Sequence, residues 1–485
     1  MLKKSVIVAA LAAVFAMPAA SAKETRELAE IREQIRQMKE AYEARLAALE
    51  SRLAQAQAQA AAAQTEAKAA SATAQQADTN AAAAQNAATQ PAAPAVAAAP
   101  AQSNSNAFNP DISAILGGSF QRLKQDPEQY RVQGMLPPGG ETGPGAKGFN
   151  LGESEITLRA NIDPMFSGQL TFALTPENEA EVEEAFIQTR DLGGGFNVKA
   201  GRFLSAIGYL NSQHSHTWDF ADAPLAYQVF LGGQFKSDGV QAKWLAPLDQ
   251  FVELGVELGN GANFPGTPRN RNGANSAAAF ARIGDDIGES ASYRVGVSLL
   301  RTHAEQRGWE EDGLAHAFSG KTNTLIADAI YKWAPNGNPT ATNFKLQGEY
   351  FRSKDSGNLE YDTARPGGPL GRAYSSAYTG IQSGWYAQGV YQFMPNWRTG
   401  LRYDRLTAGA RHIGLVDDGT LTADSFAVLQ PYSPRKTSIM FDYSPSEFSR
   451  LRLQFAQEKS RPGVTDNQVI LQYIMSLGTH AAHAF

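Results

Sequence analysis

Residues 435–458 read RKTSIMFDYSPSEFSRLRLQFAQE, and this stretch decides the fold class. In its second half, Leu451, Leu453 and Phe455 alternate with polar residues, which is the period-two pattern of a β-strand with one apolar face. The first half, 435–444, alternates in a similar way, and the short segment between the halves carries Ser and Pro, which favour turns. The stretch predicts two antiparallel strands joined by a tight turn.

The same alternation recurs along the chain from Phe108 onward. We count sixteen such segments, near 111–118, 154–163, 167–175, 181–190, 195–204, 238–246, 251–259, 276–284, 289–301, 323–334, 342–352, 380–393, 397–406, 435–444, 448–458 and 467–477. Short gaps rich in turn residues alternate with long gaps at 119–153, 205–237, 260–275, 302–322, 353–379 and 407–434. Tight turns at one end and long loops at the other are typical of outer-membrane barrels. The sequence predicts an all-β fold, a 16-stranded antiparallel transmembrane β-barrel, over 108–485.

The residues before this region have a different character. Residues 1–22 carry two lysines, a short apolar run and a small-residue cleavage site, which together predict a secretory signal peptide. Residues 23–63 place apolar side chains three and four positions apart, which predicts an α-helical coiled coil. The alternative is one amphipathic helix packed on the rest of the chain. Residues 64–107, rich in Ala, Gln and Pro, are interpreted as a linker.

Composition excludes several function classes. The 485 residues include no Cys, which excludes disulfide scaffolds and thiolate metal sites. The formal net charge of −5 argues against nucleic-acid binding, which needs clustered Lys and Arg. The chain carries no G-x-S-x-G, P-loop or H-E-x-x-H motif, so we predict that it is not an enzyme and needs no cofactor.

A barrel of sixteen strands encloses a lumen too wide for side chains to fill, which predicts a water-filled pore. Alternation predicts which charged residues face inward. The basic members are Arg159, Lys199, Lys243, Arg294, Lys345, Arg398, Arg402, Arg450 and Arg452, and the acidic members are Glu155, Glu253, Glu257, Asp328, Glu349, Asp404 and Asp442. The best candidate cluster for solute selectivity consists of Arg398, Arg402, Arg450 and Arg452. The alternative is that these charges are paired and brace the wall.

The gap at 205–237 is unusually apolar for a surface loop. Its aromatic and aliphatic side chains need a place to be buried, and folding into the barrel would supply one while narrowing the pore. The candidate constriction residues are Trp218, Asp219, Phe220 and Tyr227. The alternative is that this loop packs against a neighbouring subunit or another loop.

The same loop contains an H-x-H pair. His214 and His216 are close in sequence to Asp219 and Asp222, and imidazole and carboxylate groups are suitable donors for Zn²⁺. The pair is therefore a candidate metal site. The alternative is that the two rings are solvated or packed against aromatic side chains.

Three features of the sequence resemble known families. The stretch VKAGRFLSAIGYLN (198–211) is similar to the V-x-V-G-Q-F-K-x-P-F-G motif of the phosphate-selective porins, with Arg202 in place of the usual Gln. A coiled coil before a sixteen-stranded barrel resembles the dicarboxylate-type porins, and this resemblance implies a homotrimer. The loop NSQHSHTWDFADAPLAYQ (211–228) resembles proteins labelled zinc-regulated, TonB-dependent outer-membrane receptors.

Together these features predict an outer-membrane porin of a Gram-negative cell. It would allow passive diffusion and ion transport of small hydrophilic solutes, with anions among the candidates, past a constriction made by the loop 205–237. An even number of strands places the coiled coil in the periplasm, where it would reinforce the trimer. The alternatives are an uptake protein related to zinc or to TonB-dependent receptors, and a tether whose coiled coil contacts periplasmic partners or peptidoglycan.

Overall fold

The computed structural model describes Arg36 and residues 110–138, 142–152, 154–174, 179–364 and 373–478. The predicted signal peptide, coiled coil and linker lie outside the described residues, apart from Arg36. The chain divides into two compact units between Ser103 and Asn104, and the fold below is that of the second unit. No helix in the described part of the chain is long and apolar enough to cross a membrane.

In the described part of the chain, eighteen strand segments form a single antiparallel sheet. They are β1 (Asp111–Leu123), β2 (Gly148–Leu151), β3 (Ser154–Asn161), β4 (Phe166–Leu174), β5 (Ala180–Thr189), β6 (Phe196–Leu204), β7 (Lys236–Leu245), β8 (Phe251–Gly259), β9 (Ser276–Ile287), β10 (Ala291–Glu311), β11 (Leu314–Trp333), β12 (Asn343–Tyr361), β13 (Tyr374–Met394), β14 (Trp397–Thr407), β15 (Arg411–Ile413), β16 (Arg435–Ser446), β17 (Ser449–Lys459) and β18 (Asp466–Gly478).

The sheet closes into a barrel because β1 pairs with β18 on one side and with β2 and β3 on the other. The short strands β2 and β3 lie end to end opposite β1, and β14 and β15 lie end to end opposite β13. The eighteen segments therefore occupy sixteen positions around the barrel. The predicted 16-stranded antiparallel β-barrel is confirmed.

The two faces of the wall have opposite polarity. Along β17, Leu451, Leu453 and Phe455 point outward and are exposed, whereas Arg452 and Gln454 point inward and are 1% and 0% exposed. The same contrast recurs on the other strands, so large apolar side chains cover the outside while charged and amide side chains are buried inside. This is the reverse of a water-soluble domain, which rarely exposes large contiguous apolar patches on its surface.

The sequence pattern misplaced the strand ends on the side of the long loops. The predicted loop 302–322 is instead part of a hairpin, since β10 continues to Glu311 and β11 begins at Leu314. Asp312 and Gly313 make the turn with φ of 51° and 77°. The predicted loop 353–379 is shorter for the same reason. These strand ends carry polar side chains on their outer face, so the alternation of hydrophobicity that revealed the strands fades there.

The segment between β6 and β7 provides most of the apolar core inside the barrel. It contains the helix α1 (Leu225–Leu231), which ends at Gly232 in the left-handed conformation with φ of 65°. All seven residues of α1 are buried. Its Phe230 ring stacks on Phe351 of β12, with ring centroids 5.9 Å apart.

A second apolar cluster lies among the other long loops. It includes the short helix α2 (Gly414–Asp417) and the 3-10 turn Ala423–Leu429. Leu415 and Phe426 pack there against Phe318 and Leu359 of the extended hairpins. The strand ends that the sequence pattern missed therefore support folded loops.

Candidate functional site

The loop 205–235 lies inside the barrel and contacts strands around most of the wall. Near its start, Glu257 of β8 accepts a hydrogen bond from the Ala206 N–H at 2.8 Å. Near its middle, Gln454 of β17 accepts one from the Ala221 N–H at 2.8 Å. Strands β8 and β17 belong to distant parts of the sheet, so the loop crosses the lumen rather than following its rim.

One buried carboxylate fixes the first part of the loop. Glu349 of β12 is 2% exposed and accepts hydrogen bonds from the N–H groups of Tyr209 and Leu210, each at 3.1 Å. The hydroxyls of Tyr227 and Tyr386 donate to the same carboxylate at 2.9 Å and 2.6 Å. Four donors converge on one side chain, which satisfies a buried group that would otherwise be costly.

Gly208 allows this close approach. Its φ is 63°, and a Cβ added there would lie 2.4 Å from the carboxylate of Glu349 and 2.9 Å from the hydroxyl of Tyr227. Only glycine combines this backbone conformation with the absence of a side chain. The Ile207-Gly208 pair, part of the stretch that resembles a porin motif, thus has a structural reason at this position.

Asp219 joins the middle of the loop to bases of the wall. Its carboxylate forms ion pairs with Lys345 and with Arg398, the second at 3.3 Å. Burial alone would raise the pKa of Asp219, but these two cations hold that pKa below its usual value. The carboxylate therefore remains charged inside the barrel.

Asp222 makes a second attachment a few residues further on. It pairs with Arg402 at 2.9 Å and with Lys436 at 2.7 Å. Arg402 and Lys436 keep the pKa of Asp222 well below its usual range in spite of its burial. Asp404 of β14 also accepts a hydrogen bond from the Leu225 N–H at 3.0 Å, at the start of α1.

The predicted basic cluster is a network of paired charges. Asp442 of β16 pairs with Arg398 at 2.5 Å and with Arg452 at 2.8 Å. Arg450 lies 4.0 Å from the same carboxylate and donates to the carbonyls of His216 and Trp218. Arg452 also donates to the Trp218 carbonyl at 2.8 Å. These arginines neutralise wall carboxylates and hold the loop, so they do not form a row of unpaired positive charge.

The remaining predicted lumen residues lie on the other half of the wall. Arg294 lies 4.6 Å from the centre of the Tyr209 ring and 3.6 Å from the carboxylate of Asp328. Lys243 pairs with Glu253 at 3.3 Å, and Lys199 lies 4.1 Å from the centre of the Phe186 ring. Arg159 is exposed on β3. Glu257 is bonded to the loop as described above. Several of these bases retain partial exposure, in contrast with the buried Arg402 and Arg452.

Sequence reasoning missed Arg282 and Lys436. Arg282 of β9 pairs with Glu253 at 2.7 Å and donates to the backbone carbonyls of Ala206 and Gly208. Lys436 bridges Asp222 of the loop and Glu458 of β17. The signal was present, because each base shares the alternation of the inward-facing residues on its own strand.

The two loop histidines meet three glutamates of the wall. His214 Nδ1 lies 3.0 Å from Glu155 and 3.1 Å from Glu183, and its Nε2 lies 3.1 Å from Glu184. His216 Nδ1 lies 3.1 Å from the other oxygen of Glu155. Burial alone would lower the pKa of His214, but hydrogen bonds to the three carboxylates hold it well above its usual value. The nearby aspartates of the sequence, Asp219 and Asp222, are paired with bases elsewhere.

Comparison with known proteins gives one relative and several barrels. No family model matches the chain. It is 33% identical over 406 residues to a protein of Aquifex aeolicus (strain VF5) described as an "Uncharacterized protein", covering 78% of this chain and 80% of that one. A loop-deletion mutant of OmpT, an outer membrane protein of Vibrio cholerae, is 11% identical with a TM-score of 0.48, covering 76% of this chain and 99% of that one. The outer membrane channel DcaP of Acinetobacter baumannii is 12% identical with a TM-score of 0.46, covering 76% and 97%.

Proposed function

The chain belongs to the same family as the Aquifex aeolicus protein, and we propose that it is an outer-membrane porin for small hydrophilic solutes. The observation that carries this proposal is the inverted polarity of a closed sixteen-position barrel. An apolar outer band can contact the lipid chains of a membrane, and a charged interior can contact water. A barrel of this size is wider than the eight-stranded barrels that side chains can fill.

The loop 205–235 would set the width of the passage. It is bonded to the wall through Glu349, Asp219 and Asp222 at separate points, so it would stay across the lumen during solute passage. Solutes would pass through the part of the cross-section that this loop leaves open. The predicted constriction residues Trp218, Phe220 and Tyr227 are buried, so they would support the loop while polar neighbours contact solute.

The charge preference would come from bases that keep some exposure. Lys199, Lys243 and Arg159 are not fully buried, so their positive charges can act on a solute in the lumen. The arginine network around Asp442 would contribute less, because its charges are already compensated. Anions are therefore the favoured class of solute.

The first and last strands of the barrel indicate on which side the N-terminal region would lie. Ser113 near the start of β1 pairs with Gly478 at the end of β18, at the same end of the barrel as the short turns. In outer-membrane barrels this end faces the periplasm. We divide the chain into a signal peptide (1–22), a coiled coil (23–63), a linker (64–107) and the barrel (108–485). With this division, a trimeric coiled coil would lie in the periplasm.

The receptor-like alternative has less support. Plugged outer-membrane transporters have about 22 strands, and this barrel has sixteen positions. Within the described residues, the apolar core inside the barrel is built mostly from the loop between β6 and β7, together with wall residues and Val132 and Met135. A porin that is not an enzyme remains the function that this arrangement supports best.

A liposome swelling assay tests the proposal. We expect vesicles containing the refolded chain to swell in isotonic solutions of small sugars and dicarboxylates, with rates that fall steeply as solute size increases. Protein-free vesicles are the control. Folded and inserted protein that gives no swelling with any solute would contradict the porin function.

A further inference from the structure

The loop and the wall bring three metal-ligating side chains together. His214 and His216 flank Ser215 at a 3-10 turn, and their rings lie 5.6 Å apart between centroids. Glu155 of β3 points between them, with one carboxylate oxygen 3.0 Å from His214 Nδ1 and the other 3.1 Å from His216 Nδ1. The sequence places Glu155 about sixty positions away from the histidines, so only the fold joins the three.

We propose that His214, His216 and Glu155 form a binding site for a divalent transition metal of the Zn²⁺ class. One ligand atom from each residue lies within 4.8 Å of the others. Ligands bound about 2.0 Å from a tetrahedral zinc ion lie roughly 3.3 Å apart, so the two contacts of Glu155 already have suitable lengths. Two imidazoles and one carboxylate also form a common zinc donor set, which leaves a fourth position for water.

A second set of carboxylates would orient the ligands. When His214 Nδ1 binds the ion, its Nε2 carries the proton and donates to Glu184, which lies 3.1 Å away. Glu184 is held in turn by the Leu204 N–H at 3.0 Å and by Gln169 at 3.1 Å. A ligating histidine whose other nitrogen donates to a fixed carboxylate is a recurring feature of zinc sites.

The local charge also favours a cation. Glu155, Glu183 and Glu184 are 3%, 9% and 5% exposed, so three carboxylates are largely removed from water within reach of one imidazole. Buried carboxylates are costly unless they are paired or bind metal. A divalent ion would compensate them and would fasten the loop to β3.

Water in the lumen would give the ion access to the site. The side chains of His214 and His216 retain 19% and 12% exposure, whereas that of Glu155 retains 2%. The carboxylate side of the site is therefore buried, whereas its imidazole side is accessible to water and ions in the lumen. This proposal rests on the loop–wall geometry and does not depend on solute diffusion.

Metal titration of the purified full chain in detergent tests the site. After chelator treatment, we expect calorimetry to give one Zn²⁺ per chain, and Co²⁺ to give the visible absorption of a tetrahedral complex. His216→Gln and Glu155→Gln should abolish this binding, and Glu184→Gln should weaken it about 10- to 100-fold. His412→Gln is the matched control, because its side chain is 78% exposed on the short strand β15, away from the site, and it should bind like the wild type.

Two results would overturn the metal site. One is folded wild-type protein, with a β-sheet circular dichroism spectrum, that binds Zn²⁺ only in the millimolar range. The other is binding that survives in both His216→Gln and Glu155→Gln, which would place the ion elsewhere. Neither outcome affects the swelling assay, and a chain that binds zinc without swelling vesicles would retain the site and lose the porin function.

Discussion

Several charged residues inside this barrel hold the loop 205–235. The alternation along β12 predicts that Glu349 faces inward, and the structure gives it four partners, three of which come from the loop more than 100 residues earlier in the chain. The pattern of a strand reveals the side to which a residue points. It does not reveal the partner, because that depends on the path of a loop whose contacts are non-local. The same holds for Glu155 and the two histidines.

Asp222 allows a direct test of the loop attachment. In Asp222→Asn, Arg402 and Lys436 lose a shared counter-charge while remaining buried. They keep Asp404 and Glu458 as partners, so the cost should be smaller than the roughly 3–5 kcal/mol of an uncompensated buried charge. The loop should then leave the lumen part of the time. We expect a larger and more variable single-channel conductance, together with a lower temperature of heat-induced unfolding in detergent.

Asp249→Asn is the control for this substitution. Asp249 is exposed in the short turn between β7 and β8, so the same loss of charge there should leave both quantities unchanged. A conductance of Asp222→Asn equal to that of the control would mean that the loop does not limit the current.

At the scale of elements, the sequence predicted every position of the wall but not the length of every strand. The number of strands, their order and the short turns followed from alternation, because lipid on one side and a polar lumen on the other impose it. Strands β10 to β13 extend beyond the apolar band of the barrel. For example, Tyr361 at the end of β12 pairs with Tyr374 at the start of β13. Outside the apolar band, both faces are polar or contact other loops, and the pattern carries no signal.

The outer face of β17 tests whether the band contacts lipid. Leu453 lies at the middle of this strand and is 36% exposed. In water, an arginine at a surface position would cost little, but at the middle of a bilayer it costs about 2–4 kcal/mol. We expect Leu453→Arg to lower the free energy of unfolding in lipid vesicles by about that amount.

Leu248→Arg provides the comparison. Leu248 is also exposed, but it lies in the turn between β7 and β8, outside the strands. Its substitution should change the free energy of unfolding little. Equal effects at Leu248 and Leu453 would argue that β17 does not face lipid.

As described, the barrel unit is a closed wall with a polar interior, the loop 205–235 across it and two different rims. One rim carries short turns and both ends of the barrel, and the other carries the long hairpins and the folded loops. The alternation of short and long gaps between the predicted strands indicated this asymmetry. The predicted coiled coil and linker stay predictions, because they lie outside the described residues.

Epitope insertion tests the orientation of the rims. A tag inserted between Asp312 and Gly313, at the tip of the β10–β11 hairpin, should be accessible to antibody on intact Gram-negative cells. A tag between Gly193 and Gly194, in the short turn after β5, should require permeabilised cells. The opposite labelling pattern would mean that the barrel is inserted the other way around.

Single-channel recording in planar bilayers tests the central claim most directly. A sixteen-position barrel with a water-filled lumen should add current in discrete steps of uniform size, grouped in threes if the proposed trimer forms. Folded protein that inserts into the bilayer and carries no ionic current would contradict a pore, and the polar interior would then need another explanation.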